Sequence, residues 1–275
     1  MTFIIQTNTN KILQIDFLQF PGGERHVQIV SRDDFDLIES VLIRAYVNSS
    51  DDILDYLLLE NALLKIKPNL KIDLELPYLP YARQDRVCSY GQAFSLEVIA
   101  ALLKINKKRK IFVWDCHSVV GLNLTGAINI TSESIIAKST SLLNEFKNPN
   151  VILVCPDKGA LRRSEAVGIA FGVNEIVLCE KVRNPSNGKI TGMSVAANDL
   201  TMKTAIIIDD ICDGGMTFIG IAKALKELNC SSVVLYITHG IFSKGLGVFD
   251  NLIDRIYTTD SFPQTNHEKL TIIKI

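Results

Sequence analysis

The sequence predicts an α/β protein built from two mostly parallel sheets. Three observations carry that expectation. Apolar strand-like runs alternate with amphipathic helical segments along the chain, the order that builds parallel sheets. One run, Ile206-Ile207-Ile208, is continuously apolar, as a strand buried on both faces must be. The two halves repeat the same strand–helix–strand rhythm without repeating their letters, so a boundary is expected near residue 134. The expected domains are 1–133 and 134–261, with the tail 262–275 returning to the first.

Taken in order, residues 3–18 and 27–30 read as short strands separated by a turn at Phe20-Pro-Gly-Gly-Glu24. Residues 39–44 form another strand, and the polar Asn48–Asp52 stretch supplies a helix N-cap. Ile53, Leu54, Leu57, Leu58 and Leu64 would be the core face of that helix. Ile72, Leu74 and Leu76 alternate as a strand that ends in the turn-prone Pro77–Arg86 segment. A helix over 94–104 and a strand over 111–117 close the first half. The second half has a strand at 151–157, a helix at 161–171 and a strand at 175–183. Residues 184–192 follow as a polar loop, and the last strand spans 233–242. Between them, residues 204–228 read as strand, acidic pair, glycine turn and amphipathic helix, with Phe218, Ile221, Ala222, Leu225 and Leu228 on one face.

Composition narrows the function classes. The 275 residues are 47% hydrophobic and 21% charged with a net charge of −1, a soluble balance with no general attraction to nucleic acid or membrane. Cys88, Cys116, Cys155, Cys179, Cys212 and Cys230 are scattered without a CxxC pair, which argues for free thiols in a reducing cytoplasm. No signal-like or membrane-length apolar run is present in this sequence. Anion binding must therefore come from local groups.

Four clusters and one loop supply such groups, all at predicted strand ends, where open α/β sheets bind ligands. Phe20–Glu24 also suits a plain tight turn. Arg83, Gln84 and Arg86 offer donors to phosphate or a planar base, or form an ordinary solvated loop. Asp115 and His117, two apart on an extended chain, would point to one side and orient one another or share a metal. Asp157 pairs with Lys181 and Arg183, whose alternation suits a clamp on a transferring phosphoryl group or a pair of salt bridges. In the loop, Asp209, Asp210, Asp213, Gly214, Gly215 and Thr217 fall within nine residues. Backbone amides and a helix N-terminus there suit a phosphate, and the acidic pair suits sugar hydroxyls or a cation.

Together, FPGGE, LPYARQDR, WDCH, CPDKG, EKVR, IIDDICDGGMT and THGIFS span nearly the whole chain, and in this order the chain resembles ribose-phosphate diphosphokinases. The resemblance implies two type I phosphoribosyltransferase-like domains related by a pseudo-twofold axis. It implies Mg²⁺-dependent transfer of the β,γ-diphosphoryl group of ATP to O1 of ribose 5-phosphate, giving phosphoribosyl pyrophosphate and AMP. By position, Gly22, Gly23, Glu24, Arg83 and Gln84 would serve the nucleotide, often across subunits of a homo-oligomer. His117 and Asp157 match the Mg²⁺ positions; Lys181, Arg183 and His117 match the catalytic ones. Asp209 and Asp210 would hold the sugar, Asp213, Gly214, Gly215, Met216 and Thr217 its phosphate, and 184–192 would form a lid.

The chain departs from that pattern in the loop, where Asp213-Gly-Gly-Met-Thr217 stands in place of Asp-Thr-Gly-Gly-Thr. It departs again at 87–95, which lacks the usual basic residues, and at Pro156-Asp-Lys-Gly-Ala160 in place of Asp-x-Gly-Gly. The chain is also somewhat shorter than most relatives. Two further readings follow: the same transfer onto a larger acceptor ending in ribose 5-phosphate, such as ADP-ribose, and a catalytically silent regulatory relative. A plain phosphoribosyltransferase would leave FPGGE and PYARQDR without a role.

Overall fold

The structure, a computed structural model, describes residues 2–31, 35–106, 109–183 and 190–275, with the side chains of 181–183 and 190–191 left out. The chain divides into two compact units, residues 1–130 and 131–275.

Unit 1 holds a six-stranded sheet in the order β2-β1-β5-β6-β7-β8. Strands β1 (Phe3–Thr7) and β2 (Ile12–Leu13) lie antiparallel at one side. Then β5 (Ser40–Ala45), β6 (Lys71–Leu76), β7 (Ile111–Trp114) and β8 (Ile128–Ile130) run parallel and consecutively. Strands β3 (Ile15–Gln19) and β4 (Arg25–Ile29) form a separate hairpin, so the single stretch expected over 3–18 is three strands. Helix α1 (Ser50–Ile66) starts as the polar stretch predicts, on a capping box between Ser49 and Asp52. Its core face is corrected. Ile53, Tyr56, Leu59 and Leu63 are fully buried, Leu57, Leu58 and Leu64 pack at the margin, and Leu54 is exposed. Leu-rich sequence on nearly every side of this helix blurs the period that should mark the buried stripe.

On that helix two buried carboxylates are paired. Asp55 accepts a bidentate contact from Arg25 of the hairpin, and Glu60 accepts from Arg109 and Tyr56. Glu75 accepts from Arg44 at 2.7 Å and from the Trp114 indole at 2.8 Å, which ties β5, β6 and β7 together near their carboxyl ends. Removing one partner from such a pair leaves a buried charge, so these contacts hold the strand ends in register. Helix α2 (Ser95–Leu103) precedes β7, and α3 (Val119–Thr125) follows it.

Unit 2 begins with α4 (Ser132–Ile136) and α5 (Thr140–Phe146), which, like α3, are too short to show a helical period in sequence. Its sheet has seven strands in the order β11-β10-β9-β12-β13-β14-β15. These are β9 (Val151–Cys155), β10 (Ile176–Arg183), β11 (Ile190–Val195), β12 (Thr204–Cys212), β13 (Ser232–Gly240), β14 (Arg255–Thr259) and β15 (Leu270–Ile273). Helices α6 (Leu161–Phe171) and α7 (Met216–Glu227) follow β9 and β12. All strands are parallel except β11, which is antiparallel to β10. Residues 204–208 are buried without a break, as the apolar run requires.

Three expectations are revised. The chain divides after Ile130 where the sequence reading placed the boundary after 133. The tail does not return to unit 1: β15 pairs with β14 and finishes the second sheet. Ile190–Gly192, expected in the polar loop, begin strand β11. Residues 184–189, the rest of that loop, lie outside the described residues.

Candidate active site

The strand order of unit 2 decides where a ligand can sit. From β9 the chain crosses through α6 to β10 on one side; from β12 it crosses through α7 to β13 on the other. The order therefore reverses between β9 and β12, and the carboxyl ends of those two strands flank an open crevice. Register aligns the ends: Val154 is level with Ile207, and Cys155 with Leu178. Asp157, the backbone of Lys181 and the Asp209-Asp210 pair thus emerge at one edge of one sheet. The side chains of Lys181 and Arg183 are outside those described, and a bulge interrupts the ladder between Val182 and Arg183.

Strand β12 runs two residues beyond the acidic pair, so Asp209 and Asp210 belong to the strand itself. Asp210 is buried and Asp209 half-buried. The Asp210 N–H donates to Oδ1 of Asp209 at 2.9 Å. From α6, Nη1 of Arg163 lies 3.4 Å from Oδ1 of Asp209 and 3.5 Å from Oδ1 of Asp210. Burial, with the neighbouring Asp210 carboxylate, holds the Asp209 carboxyl well above the ordinary aspartate range; Arg163 pulls it back only in part. Sequence reasoning missed Arg163. Its only signal was the Arg162-Arg163 doublet, and nothing local says which of the two faces the sheet.

The phosphate loop is held by the segment after β13. Cys212 C=O accepts from the N–H groups of Ile241 (2.9 Å) and Phe242 (3.1 Å), and Asp213 C=O from Ser243 N–H (3.1 Å). The Ser243 hydroxyl donates to Asp213 Oδ1 at 2.6 Å. Gly215 then takes φ +78° as the N-cap of α7 and makes no side-chain cap. A Cβ there would stand 2.6 Å from Cζ of Phe249, so both conformation and space require glycine. The first-turn amides of α7 are left without a side-chain acceptor from the N-cap, the arrangement that favours an anion. Gly214 differs: a Cβ would meet only Lys244 Cγ at 3.6 Å, an ordinary contact. Met216, the first helical residue, is 77% exposed. Asp157 is half-buried and its Oδ1 accepts from Gly159 N–H at 2.9 Å.

Unit 1 carries its candidates on surface segments. Gly22, Gly23 and Glu24 are exposed at the tip of the β3–β4 hairpin, closed by Phe20 N–H to Glu24 C=O at 2.8 Å. Arg83 and Gln84 are exposed in the turn after β6, and His117 is exposed after β7. The same-side reading of Asp115 and His117 is corrected. Strand β7 ends at Trp114, Asp115 takes φ +37°, and the chain turns so that Asp115 is buried while His117 is exposed.

Among the described residues no group of three His, Cys, Asp or Glu side chains converges as a metal cage. An isolated carboxylate such as Asp157 still fits Mg²⁺, which keeps several waters and is usually held through substrate phosphates plus one or two carboxylates, whereas an imidazole is an unusual ligand for so hard a cation.

Comparison with known proteins completes the picture. Residues 126–256 match the Phosphoribosyl transferase domain, the part that contains the crevice and its loop. Ribose-phosphate pyrophosphokinase of Pyrococcus furiosus is 27% identical over 95% of this chain and 90% of its own length. That of Pyrococcus abyssi is 28% identical over 95% and 88%. Along nearly its whole length this chain is similar to ribose-phosphate pyrophosphokinases. The crystal structure of phosphoribosylpyrophosphate synthetase from Mycobacterium smegmatis has the same fold, with a TM-score of 0.79 at 21% identity, covering 97% of this chain and 87% of that one. Against its ribose-phosphate pyrophosphokinase relatives, then, the match runs through both units rather than the second alone.

Proposed function

We propose that this chain transfers the β,γ-diphosphoryl group of ATP to O1 of ribose 5-phosphate, forming phosphoribosyl pyrophosphate and AMP. The observation that carries the proposal is the crevice between β9 and β12. A buried acidic pair, a tied phosphate loop and an uncapped helix N-terminus meet there at the edge from which Asp157 also emerges. Similarity to ribose-phosphate pyrophosphokinases along both units supports it.

In this reading Asp209 and Asp210 accept hydrogen bonds from the ribose hydroxyls, with Arg163 offsetting part of the charge of the pair. The backbone of 213–217 and the Thr217 hydroxyl take the 5-phosphate. O1 attacks the β-phosphorus, and the bridging oxygen leaves with AMP. Lys181 and Arg183 offset the charge that grows on the transferring group, a role realised mainly in the transition state. Gly22, Gly23, Glu24, Arg83 and Gln84 serve the nucleotide. His117 in unit 1 and Asp157 in unit 2 are each assigned a contact with Mg²⁺, which when bound neutralises phosphate charge. A homo-oligomer acting in the cytoplasm belongs to the same proposal.

One observation favours a second reading. Gly214 has room where a side chain would fit, and exposed Met216 presents an apolar surface beside the loop. A 5-phosphate carrying a further substituent, as in ADP-ribose, suits that surface. The test is to incubate the protein with MgATP and either acceptor and to measure AMP and the new diphosphorylated product. AMP release dependent on ribose 5-phosphate is expected. Release with ADP-ribose alone would transfer the assignment to the second reading, and release with neither would leave the regulatory one.

A further inference from the structure

A close contact outside the residues assigned so far joins the β10–β11 pair to α7. Met193 on β11 is the cross-strand partner of Lys181. With Val195 it lies on the face of β11 that packs on the core of unit 2. A Cβ built on Gly220 would stand 2.8 Å from Met193 Cγ and 3.7 Å from Met193 Cβ. The nearer atom belongs to the stem of the side chain, so rotating the thioether end away would not relieve the contact. Gly220 lies in the interior of α7, four residues after Met216 and on the same face. Glycine is a poor helix former at such a position, and alanine a good one. What the helix loses there, β11 gains in proximity.

We propose that Gly220 and Met193 form a seat that fixes the β10–β11 pair against α7 and thereby sets the position of Lys181 relative to the sugar-phosphate loop. The inference rests on the roles proposed for Lys181 and for 213–217. Loop and seat lie on one helix: the loop leads into its first residue and Gly220 is the fifth. Lys181 and Met193 lie opposite one another in one ladder. The seat is therefore the short route by which the element that binds the sugar phosphate holds the strand that carries the cation. Diphosphoryl transfer depends on positioning to about 1 Å, so a residue that only sets this spacing governs rate without touching substrate.

The test is Gly220→Ala, alone and with Met193→Ala. The single variant is expected to keep its helix, because the helix preference of alanine offsets part of the cost of displacing Met193. It should lose kcat by roughly tenfold or more, with the KM for ribose 5-phosphate within about twofold, as for a group that acts on the transition state. Backbone amides of 192–195 should exchange faster. Met193→Ala in the same chain opens the space and should restore most of the rate and the protection, a coupling that a general loss of stability would not show. An unchanged kcat in Gly220→Ala, or a loss that Met193→Ala does not recover, would overturn the proposal. If the wild-type protein releases no acceptor-dependent AMP, it is the activity that fails. Hydrogen exchange then decides the seat alone, and unchanged exchange at 192–195 in Gly220→Ala overturns it.

Discussion

Both units are parallel α/β layers, yet their strand orders differ in one respect with large consequences. In unit 1 the parallel strands β5, β6, β7 and β8 follow one another across the sheet, so successive crossovers run one way. In unit 2 the order reverses between β9 and β12, and the reversal opens a crevice. The candidate residues differ accordingly. Those of unit 2 sit on a buried strand end and a loop tied by four hydrogen bonds to the segment 241–243. Those of unit 1 sit on exposed turns and a hairpin tip. A small sugar phosphate in unit 2 would meet backbone already in place, whereas the groups proposed for the nucleotide lie on exposed turns.

If this division is real, variants of the two units must fail in different ways. The largest effect belongs to Lys181→Ala, expected to lower kcat by ~100-fold or more while the KM for ATP changes little. Arg83→Ala should do the reverse, raising the KM for ATP by about tenfold, the worth of one hydrogen bond to a charged group. Steady-state kinetics with varied ATP distinguishes them, and a matching pattern in both would erase the contrast.

Next is Gly215→Ala, which combines strain at φ +78° with overlap on Phe249 and should cost about 2–3 kcal/mol in a denaturant titration. Gly214→Ala, one residue earlier, meets only ordinary contacts and should stay within about 0.5 kcal/mol. Equal costs at the two positions would mean that the loop is not tied as the structure has it.

A smaller effect concerns pH. The Asp209 carboxyl is held above its ordinary pKa of about 3.9 by burial and by Asp210. The folded state therefore binds more protons than the unfolded one across that window. Stability is fully present below the ordinary pKa and is lost as pH rises through the raised one. Asp209→Asn removes this loss, so the fall in melting temperature between acid and neutral pH should become shallower while sugar-dependent AMP release disappears. An unaltered pH profile would show that the pair carries no such strain.

Much of unit 2 was legible because its signals are local. An unbroken apolar run means a strand covered on both faces, and glycines before an amphipathic helix mean a turn into an anion-binding end. The family motifs lie on the same short segments. Less could be read from α1, where leucines on most faces hide the stripe, or from Asp115, whose positive φ no neighbouring residue announces. THGIFS stood out as a motif, but its part in holding Asp213 emerges only when β13 is laid beside β12.

The sequence by itself determined the family resemblance, the α/β class, the buried central strand and the residues at its end, because each depends on side chains close together in the chain. The tertiary structure alone decided that Arg163 meets Asp209 and Asp210, that Phe249 excludes any side chain at 215, and that Met193 rests on Gly220. Those contacts join residues tens of positions apart, and they exist only because the strand order reverses between β9 and β12 and β11 folds back on β10. Local chemistry named the groups; strand order brought them to one edge.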